Sequence, residues 1–295
     1  MSTTTQQVTI ILVTYNSKAI VGSALKTIPG GVPTIVVDNA SSDGTVEYIR
    51  ECFPQVEVIE SPQNIGFGPA NNIALERVET PFSLLMNPDA CFVNSETIDD
   101  LLEAAERYPD AAILGPGIVD EHGQAQLTLP APLLHRKEIN RSTSFTMDNV
   151  AGDVCAFTLS GAVMFLRMSA FAEQAYYFDP NIFLYFEDDE ICMRMRKAEY
   201  SLMLLPHITV MHLEGMSSPA SLNIEVLKQR HKMFSHLYIR AKYVNLNETR
   251  MKAVRTLLRG SIVGFISLII GNRRRYKMNV ALCKASVEFL CARPE

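Results

Sequence analysis

Short, mainly apolar runs recur early in the chain, the first three of them rich in valine and isoleucine, and each ends in a cluster of polar residues. Four such runs lie in the first third of the chain, at 8–13, 34–37, 56–59 and 82–86. Helix-forming stretches at 20–28 and 46–52 separate the first three. Strands buried on both faces read as continuous apolar runs, and their alternation with helices favours a parallel sheet. The pattern therefore predicts an α/β fold with a doubly wound, mostly parallel sheet.

The polar residues that end these runs are expected to meet in space. Parallel strands present their carboxyl ends at one edge of the sheet, where α/β proteins bind their ligands. Asp38 follows the second run, and Asn87 and Asp89 follow the fourth. An acidic cluster at 187–190 and His212 each follow a later apolar run. The sequence therefore predicts a polar active site, assisted by a metal ion, at this edge.

The composition is that of a globular protein in a reducing compartment. With 295 residues, 47% of them hydrophobic, the chain is long enough for one large domain or two smaller ones. Its six cysteines include no CxxC pair, which favours free thiols over disulfides or structural zinc. Residues 1–7 are polar and uncharged, unlike the start of a signal peptide. We therefore expect a cytoplasmic protein that is not exported.

Charge divides the chain into an acidic part and a basic part. Residues 1–227 carry 12 Lys or Arg against 29 Asp or Glu, whereas residues 228–295 carry 15 against 3. We therefore predict a catalytic α/β domain over 1–227 and a basic helical segment over 228–295. A basic segment of this kind suits nucleic acid or an anionic membrane surface as a partner.

Three positions have the chemistry of a metal-assisted site, and each has a plainer alternative. Asp89 is placed to hold Mg²⁺ or Mn²⁺ between two phosphates, but Asn-Pro-Asp is equally good turn chemistry. The four acids at 187–190 repel one another, which raises at least one pKa and favours a general base. The same acids also suit the first turn of a helix. His212 is a candidate metal ligand, although a lone histidine is more often structural.

Several other chemistries are disfavoured because their motifs are missing. The chain has no GxxxxGK[ST] loop, which argues against a P-loop NTPase. Gly66 and Gly68 lack the third glycine of a dinucleotide-binding fingerprint. No GxSxG nucleophile elbow is present, which argues against a serine hydrolase of the α/β class.

Taken together, these residues resemble glycosyltransferase family 2, particularly its bacterial rhamnosyltransferase-like branch. The resemblance covers residues 8–243 and depends on the order and spacing of short motifs. These motifs are VTYNS at 13–17, VDNASSDGT at 37–45, NIGFG at 64–68, NN at 71–72, NPD at 87–89, SGA at 160–162, FD at 178–179, FLYFEDDE at 183–190, and His212 with Gly215 and Ser217. The resemblance implies a GT-A fold and an inverting transfer from a nucleotide-diphosphate sugar.

The resemblance also implies a donor site in the polar loops that follow the first strands. The residues it assigns to the nucleotide, the diphosphate and the donor sugar are Thr14, Tyr15, Asn16, Asn87, Asp38, Asn64, Gly66 and Asn71. Asp38 is expected to hold the pyrimidine base or the ribose. The last three residues of the set are expected to border the diphosphate and the donor sugar.

A divalent metal ion, Mg²⁺ or Mn²⁺, is the cofactor that the resemblance implies. Asp89 matches the last residue of the family's DxD motif, and Asn87 stands where the first acid would be. His212 matches a position that serves as a further metal ligand in some members. The departure at Asn87 is expected to weaken metal affinity more than it excludes metal.

The catalytic base implied by the resemblance is Asp188, with Glu187 before it in the family's Glu-Asp motif. Asp188 would take the proton of the acceptor hydroxyl as its oxygen attacks the anomeric carbon. Family members commonly read Glu-Asp-x-Asp, and Glu190 stands in the last place of this motif. Asp189 therefore stays a competing candidate for the base.

The basic segment is predicted to contain an amphipathic helix and a short apolar run. Apolar residues between Leu227 and Ala241 recur at helical spacing and are expected to pack on the catalytic domain. Residues 260–271 are apolar and precede three arginines, but the run is shorter than the roughly 20 residues that span a bilayer. It fits a segment lying in a membrane surface or an ordinary buried helix. Nucleic acid is the weaker partner, since aromatic residues do not interleave the basic ones.

The sequence therefore predicts a glycosyltransferase, peripheral on the inner face of the cell membrane, that uses a dTDP- or UDP-sugar. Its acceptor is expected to be a cell-surface polysaccharide or a lipid-diphosphate-linked glycan precursor, and the resemblance favours rhamnose as the transferred sugar. Two rivals stay open: a catalytically silent protein that binds a nucleotide-sugar or a membrane, and a sugar-nucleotide pyrophosphorylase. The latter would need a glycine-rich basic loop at residues 14–19, where Lys18 is the sole basic residue.

Overall fold

The computed structural model describes residues 6–126, 152–213 and 221–292. The chain divides into two compact units. The α/β unit comprises Met1–Asn181 and Asp188–Ser218, and the helical unit comprises Ile182–Glu187 and Pro219–Glu295. Residues 127–154, whose weak periodicity and many polar residues predict a loop or insertion, lie almost wholly outside the described residues.

A nine-stranded sheet forms the centre of the described part of the α/β unit. Its strands are β1 (Val8–Thr14), β2 (Thr34–Asp38), β3 (Glu57–Glu60), β4 (Phe82–Met86), β5 (Ala90–Phe92), β6 (Ala111–Val119), β7 (Val154–Cys155), β8 (Val163–Arg167) and β9 (Ser201–His212). Their order is β3-β2-β1-β4-β8-β6-β9-β5, and β7 also pairs with β9. Only β5, β7 and β8 run antiparallel to their neighbours among these strands, so the other six point the same way. The predicted mostly parallel sheet is confirmed.

Helices cover both faces of the sheet, and each face has its own hydrophobic core. The helices of this unit are α1 (Val21–Thr27), α2 (Thr45–Cys52), α3 (Phe67–Leu75), α4 (Thr97–Arg107) and α5 (Glu187–Lys197). Side chains alternate along a strand, so Ile10 and Leu12 of β1 join one core while Ile11 and Val13 join the other. The first core includes residues of α1, α2 and α4, and the second includes residues of α3 and α5. This is the doubly wound arrangement that the sequence predicted.

Helix α4 shows why these segments are helical. Ile98, Leu101 and Ala104 recur at helical spacing and are buried against the sheet. Two aspartates lie in the first turn of α4 and Arg107 lies in the last, so the charges complement the helix dipole. Local preference and packing therefore favour the same structure.

Strand β9 is longer than its sequence suggested. The sequence contains two short apolar runs, 201–205 and 208–212, and the structure joins them into one strand beside β6. The register between β6 and β9 shifts after Leu205. Pro206 has no N–H to donate to the ladder, which accounts for the irregularity. Beyond it, β9 continues as far as His212.

Three long helices make up most of the described helical unit: α6 (Leu222–Tyr243), α7 (Leu246–Ile269) and α8 (Arg273–Cys291). Each begins at a polar cap. The side chains of Ser221, Asn245 and Asn272 each accept the N–H of the residue three positions later. An ion pair between Arg230 of α6 and Glu288 of α8 joins two of the helices.

The buried core of the helical unit is small. Leu237, Ala253 and Phe289, one from each helix, pack together with partly buried neighbours. The amphipathic helix predicted between Leu227 and Ala241 lies within α6, where Leu237 is buried but Leu227 is exposed. Across 6–126, 152–213 and 221–292, no helix combines the length and the apolar character needed to cross a membrane.

Candidate active site

The ends of β1 and β2 lie side by side and are joined by their side chains. Thr14 and Asp38 are register partners in the parallel pair, and the Thr14 hydroxyl donates to Asp38 Oδ1 at 2.9 Å. Asp38 Oδ2 accepts the backbone N–H of Ser41 at 2.8 Å. Thr14 and Asp38 are both buried. Asp38 therefore holds the loop after β2 in place, and only its remaining lone pairs are left for a nucleotide.

Asn16 joins the loop after β1 to the loop after β2. Its backbone is left-handed, with a φ of 53°, a conformation that asparagine adopts more readily than most residues. Its side-chain oxygen accepts the N–H of Ser42 at 2.8 Å, and its own N–H donates to Ser41 Oγ at 2.8 Å. The neighbouring Tyr15 is 40% exposed. These contacts leave an aromatic ring accessible beside two polar loops that are fixed to each other.

Asn39 is a structural centre of the site that the sequence interpretation did not assign. Its amide donates to Asn64 Oδ1 at 3.0 Å and to the carbonyl of Gly66 at 3.1 Å. Its oxygen accepts the N–H of Ile65 at 2.9 Å. Asn39 thus ties the loop after β2 to the loop before α3. Its position directly after Asp38, at the end of a strand, is the sequence signal from which its role could have been predicted.

Asn64 and Gly66 lie in this network, whereas Asn71 does not reach it through its side chain. The Asn71 amide is buried and donates to the carbonyl of Phe67 in its own helix, at 3.0 Å. The adjacent Asn72 instead spans to Phe178, donating to its carbonyl at 2.8 Å and accepting its N–H at 2.9 Å. Of this pair, Asn71 supports helix α3 and Asn72 holds the segment around residue 178.

Asn87, Asp89 and His212 meet at the same edge of the sheet. The short strand β5 pairs with the end of β9 so that Ala90 lies opposite His212. Asp89 Oδ1 lies 3.2 Å from His212 Nε2, and the Asn87 amide nitrogen lies 3.4 Å from the same ring nitrogen. Asp89 is buried. Gly215 and Ser217, which complete this motif in the sequence, lie outside the described residues.

This arrangement fits a divalent cation that shares its ligands with a substrate. Two atoms that each bind one cation at about 2.1 Å lie about 3 Å apart, which matches the separation of the Asp89 and His212 atoms. The described residues contain no group of three or more His, Cys, Asp or Glu side chains that could hold a metal. Mg²⁺ and Mn²⁺ commonly take their other ligands from water and phosphate. Asp89 and His212 would hold such an ion.

The four acids at the start of α5 have different surroundings. Glu187, Asp189 and Glu190 are buried, whereas Asp188 is partly exposed. Asp189 Oδ1 accepts the hydroxyl of Thr158 at 3.0 Å. Asp188 is therefore the most accessible member of the cluster, and Asp189 is engaged in a buried contact.

Glu190, the residue that departs from the family pattern, belongs to a buried ion pair. Its Oε2 lies 3.4 Å from Nε of Arg194, one turn later in α5. Arg194 in turn donates to the carbonyl of Tyr177 and, at 3.1 Å, to Gln174. The longer glutamate thus links α5 to the segment at 174–177, and the sequence alone did not indicate this role.

Gly161 holds the Asp188 carboxylate. Its N–H donates to Asp188 Oδ2 at 3.1 Å, and the N–H of Asp189 donates to Oδ1 at 2.9 Å. Burial raises the pKa of Asp188 above the ordinary value of 3.8, and these two N–H groups oppose the rise. A Cβ at position 161 would lie 3.2 Å from the Asp188 Cβ, so glycine allows this close approach.

The candidate base, Asp188, and the candidate metal ligands lie at one edge of the sheet. Ala162, which follows Gly161 at the start of β8, accepts the N–H of Asn87 at 2.9 Å. Because β8 runs antiparallel to β4, its first residues lie beside the last residues of β4. The structure therefore brings Asp188, Asn87, Asp89 and His212 to the edge that the sequence predicted.

The segment before Asp188 belongs to the helical unit and is held by α6. The hydroxyl of Ser235 donates to the carbonyl of Leu184 at 2.9 Å, and the ring of Phe183 stacks on His231 at 4.1 Å. Burial, and then the nearby Arg230, lowers the pKa of His231 to about 4, so its ring is neutral at pH 7. The stacked contact therefore joins two uncharged rings.

Two successive residues of this segment have left-handed backbones. The φ angles of Tyr185 and Phe186 are 69° and 67°, which is rare for bulky side chains. Such conformations persist only where the surroundings hold them. The contacts from α6 supply that support directly before the acidic cluster begins.

Solved structures of other proteins share this fold. A mannosyltransferase from Pyrobaculum calidifontis, solved with GDP-mannose and Mn²⁺, matches with a TM-score of 0.57 and 16% identity, covering 97% of this chain and 87% of that one. TarS from S. aureus, in complex with UDP-GlcNAc, matches with a TM-score of 0.55 and 17% identity, covering 96% and 91%. The GT-A fold that the resemblance implied is confirmed.

Two curated proteins are similar in sequence. An N-acetylglucosaminyl-diphospho-decaprenol L-rhamnosyltransferase of Mycobacterium tuberculosis is 28% identical over 217 residues, which are 64% of this chain and 70% of the relative. The low-salt glycan biosynthesis hexosyltransferase Agl10 of Haloferax volcanii is 25% identical over 209 residues, which are 65% and 62% of the two chains.

The family model described as glycosyl transferase family 2 matches residues 9–171, more than half of the chain. The matched region runs from β1 through β8 and contains the loops joined by Asn16 and Asn39, together with Asn87, Asp89 and Gly161. The site geometry, the fold and the family model agree, and the chain belongs to glycosyl transferase family 2.

Proposed function

We propose that this protein is an inverting glycosyltransferase that uses a divalent metal ion to move a sugar from a dTDP- or UDP-sugar to a glycan acceptor. The observation that carries the proposal is the setting of Asp188. It is the partly exposed member of the acidic cluster, its pKa is raised by burial, and Gly161 fixes it at the edge that holds Asp89 and His212. A carboxylate of this kind suits a general base.

In the proposed reaction, Asp188 takes the proton of the acceptor hydroxyl. The acceptor oxygen forms a bond to the anomeric carbon as the bond from that carbon to the nucleoside diphosphate breaks. Attack comes from the side opposite the leaving group, so a single displacement inverts the configuration. The products are the extended glycan and a nucleoside diphosphate, and Asp188 later releases its proton to solvent.

The loops after β1 and β2 would bind the nucleotide. Tyr15 offers an accessible ring for stacking on a base, and Asn16 and Asp38 hold the two loops together. Asn39 extends the same network to Asn64, next to the N-terminus of α3. Helix N-termini favour anions such as a diphosphate.

A metal ion bound by Asp89 and His212 would neutralise the charge that develops on the leaving diphosphate. Asn87 replaces the first acid of the family motif, so the protein would contribute less negative charge to the ion. The substrate diphosphate would then supply a larger share of the ligands. We therefore expect metal and nucleotide to bind together, each more weakly without the other.

The acceptor is proposed from the curated relative, whose name describes transfer of L-rhamnose to N-acetylglucosaminyl-diphospho-decaprenol. By analogy, the acceptor of this chain would be a lipid-diphosphate-linked glycan or a cell-surface polysaccharide, and the sugar would be rhamnose. A lipid-linked acceptor resides in a membrane. The enzyme would therefore act as a peripheral protein at the inner face of the cell membrane.

Calorimetry of dTDP and UDP binding, with and without Mn²⁺, tests the donor half of this proposal. We expect Mn²⁺-dependent binding of dTDP, and the Asp89→Asn variant should lose the dependence on Mn²⁺. Tighter binding of UDP would replace the proposed donor. Binding of neither nucleotide would favour a catalytically silent protein.

Transfer from dTDP-rhamnose to a lipid-diphosphate-linked N-acetylglucosamine tests the other half. Release of dTDP with an inverted anomeric configuration, read by NMR, is the expected result. Formation of dTTP from added pyrophosphate would instead identify a pyrophosphorylase. Retention of configuration would contradict the single displacement.

A further inference from the structure

The second half of α7 exposes a continuous apolar face. Leu258, Ile262, Phe265, Ile266 and Ile269 are between 50% and 70% exposed. Their spacing of three and four residues places them along one side of the helix. Large apolar patches of this kind are rare on soluble monomers and mark sites of interaction.

The opposite side of α7 explains why this face points outward. Gly260, Gly264 and Ser267 are buried, and a Cβ at position 260 would lie only 2.8 Å from the sulfur of Cys283 in α8. The small residues therefore let α7 and α8 pack closely. The rotation of α7 is fixed by that contact, so the outward position of the apolar face is built into the helix pair.

A shallow groove between α7 and α8 adds to this surface. Its volume is about 570 Å³. Its lining includes Gly264, Phe265, Leu268, Tyr276 and Val280, together with the charged residues Lys284 and Glu288. The lining is mainly apolar, so the groove suits a hydrocarbon chain better than a polar ligand.

Charge is distributed so that the apolar face has a basic border. No charged residue occurs over 260–272, and three consecutive arginines, all exposed, follow at 273–275. The stretch 246–292 carries nine Lys or Arg against two Glu. Arg274 pairs with Glu225 of α6. An anionic surface therefore complements this region.

A second copy of this chain fits the surface less well. A two-fold contact would cover the apolar face, but it would bring no anionic surface to the arginines at 273–275, because this stretch of a second copy is itself basic. An anionic lipid leaflet meets both the apolar face and the arginines with complementary groups. The exposed apolar residues of α7 run from Leu258 to Ile269, 12 residues or about 18 Å of helix, which is shorter than a bilayer core of about 30 Å.

We propose that the apolar face of α7 and the turn between α7 and α8 insert shallowly into an anionic lipid leaflet. The helix lies in the plane of the membrane, and Arg273 and Arg275 contact lipid phosphates, whereas Arg274 is paired with Glu225. The use of this surface to reach a lipid-linked acceptor rests on the proposed function. Binding to lipid does not depend on that function.

Flotation of the full chain with lipid vesicles tests the proposal. The protein is expected to float with vesicles of phosphatidylglycerol and phosphatidylethanolamine, and more weakly with phosphatidylcholine alone. The double variant Phe265→Glu/Ile269→Glu should reduce binding at least about tenfold, because two inserted side chains become charged. A matched control is Val93→Glu, an exposed apolar residue of the α/β unit. It should leave vesicle binding unchanged.

The expected electrostatic contribution is tested by Arg273→Glu/Arg275→Glu. This variant should lose the preference for anionic vesicles, and added salt should weaken binding of the parent. No flotation of the parent, or equal flotation of the Phe265→Glu/Ile269→Glu variant, overturns the proposal. A parent that is dimeric by ultracentrifugation, and that this variant converts to a monomer without any lipid effect, assigns the face to a second copy.

A measurement of nucleotide binding distinguishes failure of the lipid-binding proposal from failure of the proposed function. If the parent floats but binds neither dTDP nor UDP, the lipid-binding proposal stands and the transferase proposal fails. If the parent binds nucleotide but does not float, only the lipid-binding proposal fails. Thermal melting of each variant confirms that these exposed substitutions leave the helices folded.

Discussion

The two units differ in whether the large apolar side chains of their helices are buried or exposed. In the α/β unit, Ile98 and Leu101 of α4 are buried against the sheet. In the helical unit, Leu258, Ile262 and Phe265 of α7 are each more than 60% exposed. The first helix completes a core, and the second presents a surface. Helices of ordinary composition can therefore serve packing in one part of a chain and recognition in another.

The contrast extends to polar groups. The α/β unit gathers Asp38, Asn39, Asp89 and Asp188 at one sheet edge and gives each a defined partner. The helical unit instead has three exposed arginines at the start of α8. This division suggests that chemistry belongs to the α/β unit and attachment to the helical unit. Five predictions test the division.

The largest effect is expected from Asp188→Asn, which removes the proposed base but keeps its shape. The rate of transfer should fall by about 10²- to 10⁴-fold. Vesicle binding should not change, because the substitution lies outside α7 and α8. Asp189→Asn is the matched control, since an amide oxygen can still accept the Thr158 hydroxyl. Equal losses in the two variants would contradict the assignment of the base.

The same variant has an expected effect on stability, with a sign set by the raised pKa of Asp188. Burial favours the neutral carboxyl in the folded state, so its contribution is present at low pH and is lost as pH rises through the folded pKa. At pH 7 the neutral amide of Asn should therefore raise Tm. Parent activity should fall as the pH drops through a pKa above 3.8. A lower Tm would indicate that the carboxylate mainly supports the Gly161 contact.

A smaller loss is expected when the candidate metal ligand is changed. Asp89→Asn removes the charge next to His212 and should weaken apparent Mn²⁺ affinity by at least about tenfold. Transfer activity measured against Mn²⁺ concentration reads this effect. Asp120→Asn, in an exposed turn of the same unit, is the control and should behave like the parent. An unchanged Mn²⁺ dependence in Asp89→Asn would remove metal from the proposal.

A matched pair of core substitutions compares the two units directly. Leu84 and Leu237 are both fully buried, one in the sheet and one in α6. Each change to alanine should destabilise its own unit by about 2–5 kcal/mol. At a urea concentration that partly unfolds the variants, we expect Leu84→Ala to weaken nucleotide binding. Under the same conditions, Leu237→Ala should weaken vesicle binding. If each variant loses both activities together, the units unfold as one and the division fails.

The sequence predicted the sheet well because its strands carry a strong local signal. Strand β4 spans Phe82–Met86, the residues that the apolar run indicated. The convergence of Asp89 and His212 was also predictable, since both end apolar runs and parallel strands share an edge. Burial on both faces leaves little choice of structure for such runs.

The individual roles of the acids were not predictable. Four adjacent acids look alike in sequence, and the difference among them comes from Thr158, Gly161 and Arg194, which lie elsewhere in the fold or one turn later. Likewise, the apolar run at 260–271 fits a buried or an exposed helix equally well. Its exposure depends on how Gly260 packs against α8, a tertiary contact with no local signal.

The smallest effect on transfer is expected from a change at Ser235, a residue of the helical unit that contacts the segment before Asp188. Its hydroxyl holds the carbonyl of Leu184, in the segment that leads into α5 and Asp188. Ser235→Ala should cost about 1 kcal/mol of stability, the usual size of one hydrogen bond. If the left-handed residues Tyr185 and Phe186 relax, Asp188 shifts and kcat falls several-fold while KM for the donor stays the same.

Ser286→Ala separates this positioning effect from simple destabilisation. Ser286 is also buried in the helical unit, but its hydroxyl donates to the carbonyl of Leu282 within α8. Both variants should therefore lose similar stability, and only Ser235→Ala should lower kcat. An equal kcat in the two variants would mean that α6 supports the segment before Asp188 without tuning the base. The helical unit would then have no part in catalysis.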